Sequence, residues 1–204
     1  MSVRRVAREI YDRFWRGPQG YGRPVEAAVW DREFASGGWT YLSDMSETSR
    51  YAIIHNYIAK WKVPVSILDI GCGQAILRSF FSDAEIVSYI GIDLSKEAIR
   101  VAMERRFFAS SFLVANFDEY KPDTSHNVII FNESISYAND PGATFQKYWS
   151  ALPAGGACIV SIYDYDMRSK AAWRRIRRHA TPQFTSKLIN EKGQAWGIKF
   201  FLKT

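Results

Sequence analysis

The sequence has little cysteine, little histidine and no long apolar run. Its 204 residues include two cysteines, Cys72 and Cys158, and three histidines. Two cysteines are too few for a disulfide framework or a cysteine-based metal cluster, so we expect no metal and a reducing, cytoplasmic setting. No apolar run approaches the length of a membrane span, and the first residues lack the apolar core of a secretory signal. We therefore expect a single globular domain.

Positive charge is in excess, with a formal net charge of +6. Much of it lies in one predicted helix, which carries Arg168, Lys170, Arg174, Arg175, Arg177 and Arg178. Such a surface can bind nucleic acid or anionic lipid. The other interpretation is a solvated helix face, with Ala171, Ala172, Trp173 and Ile176 packed inward. We favour the second interpretation because no nucleic-acid-binding motif accompanies the charge.

Apolar runs of strand type alternate with segments of helical periodicity from residue 65 onward. The predicted strands are 65–70, 86–92, 112–115, 127–131, 157–163, 184–190 and 195–203. The predicted helices are 3–16, 46–61, 74–81, 95–106 (with Ile99 and Met103 inward), 141–151 and 168–179. This order predicts an α/β fold: a doubly wound, mostly parallel seven-stranded sheet with an antiparallel hairpin at its end. We expect residues 1–62 to form an N-terminal helical and aromatic cover and residues 63–204 to form the core of a single domain.

A glycine-containing turn follows the first predicted strand. Gly71 and Gly73 allow the backbone to turn sharply and to approach a ligand closely. Asp93 ends the second strand, where a carboxylate can accept hydrogen bonds from ribose hydroxyls. A dinucleotide site needs a small residue at the position that Ile76 occupies, which disfavours a nicotinamide oxidoreductase. Asp69, two residues before Gly71, instead suits a ligand that carries an ammonium group and no pyrophosphate.

Residues 67–75, Ile-Leu-Asp-Ile-Gly-Cys-Gly-Gln-Ala, resemble the first motif of class I S-adenosylmethionine-dependent methyltransferases. Residues 91–95, Gly-Ile-Asp-Leu-Ser, resemble their second motif, and residues 114–117 resemble the segment after their third strand. The resemblance covers residues 65–203 and implies S-adenosylmethionine as cofactor and S-adenosylhomocysteine as product. It places Asn116 and the backbone of Phe117 at the adenine. The cofactor-binding residues that we expect in the core are Asp69, Gly71, Cys72, Gly73, Asp93, Leu94, Asn116, Phe117 and Asn132.

The segment after the fourth strand, from Asn132 to Tyr137, is expected to face the acceptor. It is similar to an Asn-Glu-x-x-Tyr-Tyr pattern of bacterial methyltransferases that act on small molecules and sugars, with Ser136 at the first tyrosine position. Glu133 and Tyr137 are the candidate catalytic residues. Glu133 can act as a general base, hold an acceptor amine or cap a helix, and these alternatives stay open. The histidines, His55, His126 and His179, are expected to be structural and to lie away from the site.

Aromatic residues are frequent before the helix at 46–61. Trp30, Phe34, Trp39 and Tyr41, with Gly37-Gly38 as a joint, are either a lid over the cofactor or packing that attaches the N-terminal segment to the sheet. From this side we expect Tyr41 to contact the cofactor and Arg50 to reach its methionine carboxylate.

The sequence therefore predicts methyl transfer from S-adenosylmethionine to an oxygen or nitrogen of a small-molecule or sugar-like acceptor. Two alternatives remain. One is a methyltransferase that acts on RNA or protein through the basic helix, and the other is a non-catalytic module that binds S-adenosylmethionine. The oligomeric state and the acceptor are not indicated by any pattern.

Overall fold

The computed structural model describes residues 24–164 and 167–204. Its strands are β1 (Val65–Ile70), β2 (Ile86–Asp93), β3 (Ser110–Val114), β4 (Val128–Asn132), β5 (Ala157–Tyr163), β6 (Phe184–Ile189) and β7 (Ala195–Leu202). Its α-helices are α1 (Ala27–Ala35), α2 (Met45–Trp61), α3 (Lys96–Glu104), α4 (Pro141–Ala151) and α5 (Met167–Ile176). Short 3₁₀ helices occupy Thr40–Ser43, Leu77–Phe80, Asp83–Glu85 and Ile135–Tyr137.

The seven strands form one sheet in the order β3-β2-β1-β4-β5-β7-β6. Neighbouring strands from β3 to β5 are parallel, whereas β7 runs antiparallel to both β5 and β6. The predicted doubly wound sheet with a terminal antiparallel hairpin is confirmed. Strand order reverses at β1, so the carboxyl ends of β1 and β4 flank the crevice in which such sheets bind ligands.

Each face of the sheet carries its own apolar core. On one face, Ile67 of β1 packs with Tyr51, Ile54 and Ile58 of α2 and with Ile99 of α3. The other face is covered by the last two helices, whose buried residues there are Phe145, Tyr148, Ala172 and Ile176. Because both faces are covered, the parallel strands are apolar on both sides. Within the described residues, no helix is long and apolar enough to cross a membrane.

The helix predicted for 74–81 is wrong, because only the 3₁₀ helix at Leu77–Phe80 forms there. Arg78 explains the difference. Its side chain is 1% exposed and donates hydrogen bonds to the carbonyl oxygens of Phe81 and Phe108 and to Ser110 Oγ. These bonds hold the chain in a compact turn against the start of β3, where a regular helix would carry the guanidinium away from its acceptors.

Three further expectations need correction or lie outside the described residues. Met103 was expected to face inward, but it is 60% exposed and lies on the solvent side of α3. Residues 27–35 were not predicted to be helical but form α1, and this helix has no buried residue. The predicted helix at 3–16 falls outside the described residues.

Candidate functional site

The turn after β1 is bent by two glycines with positive φ angles, +73° at Gly71 and +53° at Gly73. The N–H groups of Gly71 and Cys72 both donate to the carbonyl of Ile92, at 2.8 and 3.0 Å. A side chain at Gly71 would overlap the Cβ of Ser134, which follows β4. The turn is therefore tied to β2 on one side and fitted against the loop after β4 on the other.

Asp93, at the end of β2, holds this turn in place through its carboxylate. Oδ2 accepts the N–H of Gly73 and Oδ1 accepts the N–H of Ser95, each at 2.9 Å. Burial raises the pKa of Asp93, and these backbone hydrogen bonds oppose the increase. Each oxygen retains a second lone pair, so the carboxylate can still accept bonds from a pair of hydroxyls. Leu94 lies between Asp93 and the N-cap of α3.

Asp69, near the end of β1, is 1% exposed. Its Oδ2 accepts a hydrogen bond from the phenol of Tyr89 at 2.5 Å, whereas its Oδ1 has no partner among the described residues. Burial raises the pKa of Asp69 to about 7. A buried carboxyl oxygen without a donor is costly, so the atom is suited to meet a positively charged group.

Arg50 of α2 is a buried cation whose partners include Glu47 and Tyr51. It is 2% exposed and is bonded to the carboxylate of Glu47 and, at 3.0 Å, to the hydroxyl of Tyr51. Burial opposes its charge, yet attraction to Tyr51, Glu133 and Glu47 raises the pKa of Arg50. Its Nε has no partner among the described residues. Tyr41 lies beside this group, and burial raises the pKa of its phenol to about 12.

Glu133 lies directly after β4 in a left-handed backbone conformation, with φ +63°. Its carboxylate accepts a hydrogen bond from Ser161 Oγ at 2.7 Å and one from the N–H of Tyr163 at 2.8 Å. Burial raises the pKa of Glu133, and the charge of Arg50 opposes the increase. The carboxylate is thus held against β5 by fixed donors, at the carboxyl edge of the sheet.

The remaining expected site residues surround this edge. Asn132 Oδ1 lies 2.8 Å from Ser161 Oγ, and Tyr137 lies in the 3₁₀ helix after β4. Beyond β3, Asn116 Oδ1 accepts the N–H of Asp118 at 2.9 Å. The carbonyl of Phe117 accepts bonds from Lys147 and Tyr148. Its N–H donates to no described residue.

The aromatic residues before α2 form one cluster at this edge. Trp39 stacks in tilted contact with Trp30, Phe34 and Tyr41, at centroid distances of 5.6, 6.0 and 5.8 Å. Trp30 also meets the ring of Tyr137 edge-on at 5.0 Å. A Cβ at Gly73 would stand 3.7 Å from the ring of Phe34, so the cluster lies over the glycine turn.

Two of the histidines lie at the opposite edge of the sheet. His55 contacts Glu85, before β2, at 2.9 Å, and His126, before β4, contacts Asp123 at 3.1 Å. His179 differs from the expectation. It lines a cavity of about 340 Å³ together with Asp140 and Gly142. These two residues lie at the start of α4, so His179 lies near the edge of the sheet at which α4 begins and not at the opposite edge. Tyr163 is the last residue of β5, and Asp164 follows it.

Four residues of this network were not expected from the sequence: Glu47, Tyr51, Tyr89 and Ser161. The spacing of Glu47 and Arg50, three residues apart on one helix, is a signal that indicates an ion pair. The other contacts join residues from separate elements, and no local pattern indicates them.

A family described as methyltransferase domain matches residues 34–194, which is most of the chain. The chain therefore belongs to this family of S-adenosylmethionine-dependent methyltransferase domains, and the predicted class is confirmed.

Two curated proteins illustrate the sequence relationship. Phosphoethanolamine N-methyltransferase 1 of Arabidopsis thaliana is 33% identical over 101 residues, which cover 48% of this chain and 21% of that protein. Trans-aconitate 2-methyltransferase of Yersinia pestis is 29% identical over 127 residues, covering 60% of this chain and 48% of that protein. The chain thus spans from a fifth to a half of the length of these relatives.

A solved structure is similar in fold. It is the N-methyltransferase NodS from Bradyrhizobium japonicum in complex with S-adenosylhomocysteine, with a TM-score of 0.75 and 15% identity. The similarity covers 86% of this chain and 96% of that one. It confirms the fold, and at this identity it does not extend to individual site residues.

Proposed function

We propose that this domain transfers a methyl group from S-adenosylmethionine to a nitrogen or oxygen of a small-molecule or sugar-like acceptor. The observation that carries the proposal is a pair of buried, unpartnered atoms of opposite character at the same edge of the sheet. They are Arg50 Nε and Asp69 Oδ1. The amino-acid part of the methyl donor has one carboxylate, which could accept a hydrogen bond from Arg50 Nε, and one ammonium, which could donate to Asp69 Oδ1.

The rest of the donor fits the residues along the edge. Asp93 retains acceptor capacity for the two ribose hydroxyls while it holds Gly73 and Ser95. Asn116 and the backbone N–H of Phe117, after β3, are proposed to face the adenine. Gly71, Cys72 and Gly73 bring backbone close to the ligand, and Leu94, Asn132 and Tyr41 complete its surroundings. Burial raises the pKa of Cys72, so its thiol stays protonated and acts as an apolar neighbour.

The donor supplies a sulfonium methyl group, which leaves in an in-line displacement. The protein has to orient the acceptor, exclude water and accept a proton where the acceptor atom carries one. Glu133 is proposed for the proton, because its raised pKa makes it a stronger base than an exposed carboxylate. Tyr137, in contact with Trp30, closes the acceptor side, and the aromatic cluster over Gly73 keeps water from the reacting atoms.

A small acceptor is supported by the two relatives, which act on phosphoethanolamine and trans-aconitate by name. It is also supported by the cover, since Trp30, Phe34 and Trp39 close over the turn in place of an open groove. The exposed arginines of α5, such as Arg174, support the alternative of a macromolecular acceptor. A cytoplasmic location stays a prediction.

The test is methyl transfer from S-adenosylmethionine with a labelled methyl group to three separated acceptor pools. These are small metabolites, RNA and protein from one cell extract, each assayed with the wild-type chain and with Asp93→Ala as the inactive control. We expect label in the small-molecule pool that Asp93→Ala abolishes. Label confined to RNA or protein and lost at high salt would establish the alternative acceptor class, because such contacts are salt-dependent. Donor binding without transfer to any pool would contradict catalysis.

A further inference from the structure

Asp69 and Tyr89 form a closed pair beneath the glycine turn. They come from adjacent parallel strands, with Asp69 opposite Gly91 and Tyr89 opposite Ile67 in the register of β1 and β2. Both side chains are buried, at 1% and 0% exposure, and the phenol donates to Asp69 Oδ2 at 2.5 Å. The phenol is the one side-chain donor to this carboxyl group among the described residues, and the second oxygen, Oδ1, has none.

We propose that Tyr89 is a positioning residue for the methyl donor: it holds one oxygen of Asp69 and leaves the other for the donor's ammonium, whose binding releases the proton that buried Asp69 carries in part of the free protein. The inference rests on the proposed function, since it requires the donor's amino-acid part to lie beside Asp69. It adds a proton to the binding equilibrium and gives Tyr89 a role that the donor-binding motifs do not contain.

The charges around Asp69 favour such a proton release. Burial, together with the nearby charge of Asp93, raises the pKa of Asp69 to about 7, and the hydrogen bond from Tyr89 opposes the increase. The other titratable groups that face this pair are Cys72 of the turn, Tyr51 of α2 and Arg78 of the 3₁₀ helix. Burial raises the pKa of both Tyr89 and Cys72, so these groups stay neutral at pH 7.

These charges determine how donor affinity depends on pH. In the free protein the carboxyl group of Asp69 is partly protonated near neutral pH. An ammonium placed beside it favours the carboxylate and lowers its pKa, so the proton leaves to the buffer when the donor binds. Affinity therefore increases as pH rises towards about 7 and then levels off.

Removal of the phenol hydroxyl shifts this dependence. In Tyr89→Phe the carboxylate loses its only charge-stabilising hydrogen bond from a described side chain, so the pKa of Asp69 rises further. A hydrogen bond to an ion stabilises it by roughly tenfold or more in equilibrium constant, so we expect the pH midpoint of binding to move up by about one unit.

The experiment is calorimetric titration of the full chain with S-adenosylhomocysteine, which carries the ammonium and does not react. It is run from about pH 6 to about pH 8.5, in two buffers of different ionisation enthalpy that report the protons released. We expect release of about half a proton near pH 7 in the wild type and none in Asp69→Asn. Tyr57→Phe, which loses a phenol bonded to Ser186 on another part of the sheet, is the matched control and should behave as the wild type.

A second probe separates the possible failures. 5′-Methylthioadenosine lacks the amino-acid part, so its binding should release no proton and should not change in Asp69→Asn or Tyr89→Phe. Wild-type binding of S-adenosylhomocysteine without proton release would overturn the inference and leave the donor site intact. An equal loss of affinity in Tyr89→Phe at every pH would show a merely structural role. Absence of binding by both probes would overturn the proposed function itself.

Discussion

Substitution of Gly71 by alanine tests the fit of the turn after β1 against the loop after β4. Two costs are expected. Gly71 has φ +73°, and a residue with a Cβ in this left-handed conformation costs about 1–2 kcal/mol. The new methyl group would also overlap the Cβ of Ser134 and stand 3.2 Å from its Oγ.

The overlap forces Ser134 to move, and its hydroxyl donates a buried hydrogen bond to the carbonyl of Ile70. Leaving that carbonyl without its donor costs roughly 1–3 kcal/mol. The total decrease in the free energy of unfolding is therefore about 2–5 kcal/mol, a large fraction of the ~5–15 kcal/mol of a typical domain. The displaced turn should also weaken donor binding.

Gly155→Ala and Gly193→Ala are matched controls for the backbone cost. Both glycines have φ +73°, the same as Gly71, but an added Cβ would meet nothing within 4 Å. We expect these variants to lose only about 1–2 kcal/mol. The assay is urea unfolding of all three variants with a common m-value. A Gly71→Ala loss within about 0.5 kcal/mol of the controls would refute the argument that Ser134 blocks a side chain there.

Three further predictions follow from the site. Glu133→Gln should lower turnover more than donor affinity. Because burial raises the pKa of Glu133, wild-type turnover should fall as pH drops through that pKa, and the variant should lack this limb. Arg50→Met should weaken S-adenosylhomocysteine binding while leaving 5′-methylthioadenosine binding unchanged; an equal loss for both ligands would contradict its proposed carboxylate contact. Asp31→Ala removes the bonds from α1 to Ser95 Oγ and the N–H of Glu97, so trypsin should cut the segment around α1 faster, and an unchanged rate would show that these bonds do not hold the cover.

The strands and helices that the sequence predicted well are those with a strong local pattern. The helix at Pro141–Ala151 and the strand at Ala157–Tyr163 have the predicted bounds. Proline at the first position indicates the helix, and a mostly apolar run indicates the strand. The prediction for 74–81 failed because the conformation of this segment depends on Arg78, and two of the acceptors of Arg78, Ser110 and Phe108, lie about thirty residues further along the chain. Helix α1 was missed because it is short and none of its residues is fully buried.

In the candidate site, too, contacts between residues close in sequence were predictable, whereas contacts between separate strands were not. The glycine turn and Asp93 were predictable because their spacing along one strand-turn-strand unit defines their geometry. The bond between Asp69 and Tyr89 joins residues twenty positions apart on adjacent strands. That contact, and the bond from Ser161 to Glu133, depends on strand register, which a single sequence does not specify.

Calorimetric titration of S-adenosylmethionine into Asp93→Ala and Gly73→Arg tests the central claim most directly. The carboxylate of Asp93 is proposed to bind both ribose hydroxyls, and loss of two such bonds should reduce affinity at least about a hundredfold. An arginine at Gly73 would fill the space under Phe34 where the donor is proposed to bind. We predict no measurable binding by either variant while circular dichroism shows both to be folded. Wild-type affinity in both would contradict the account.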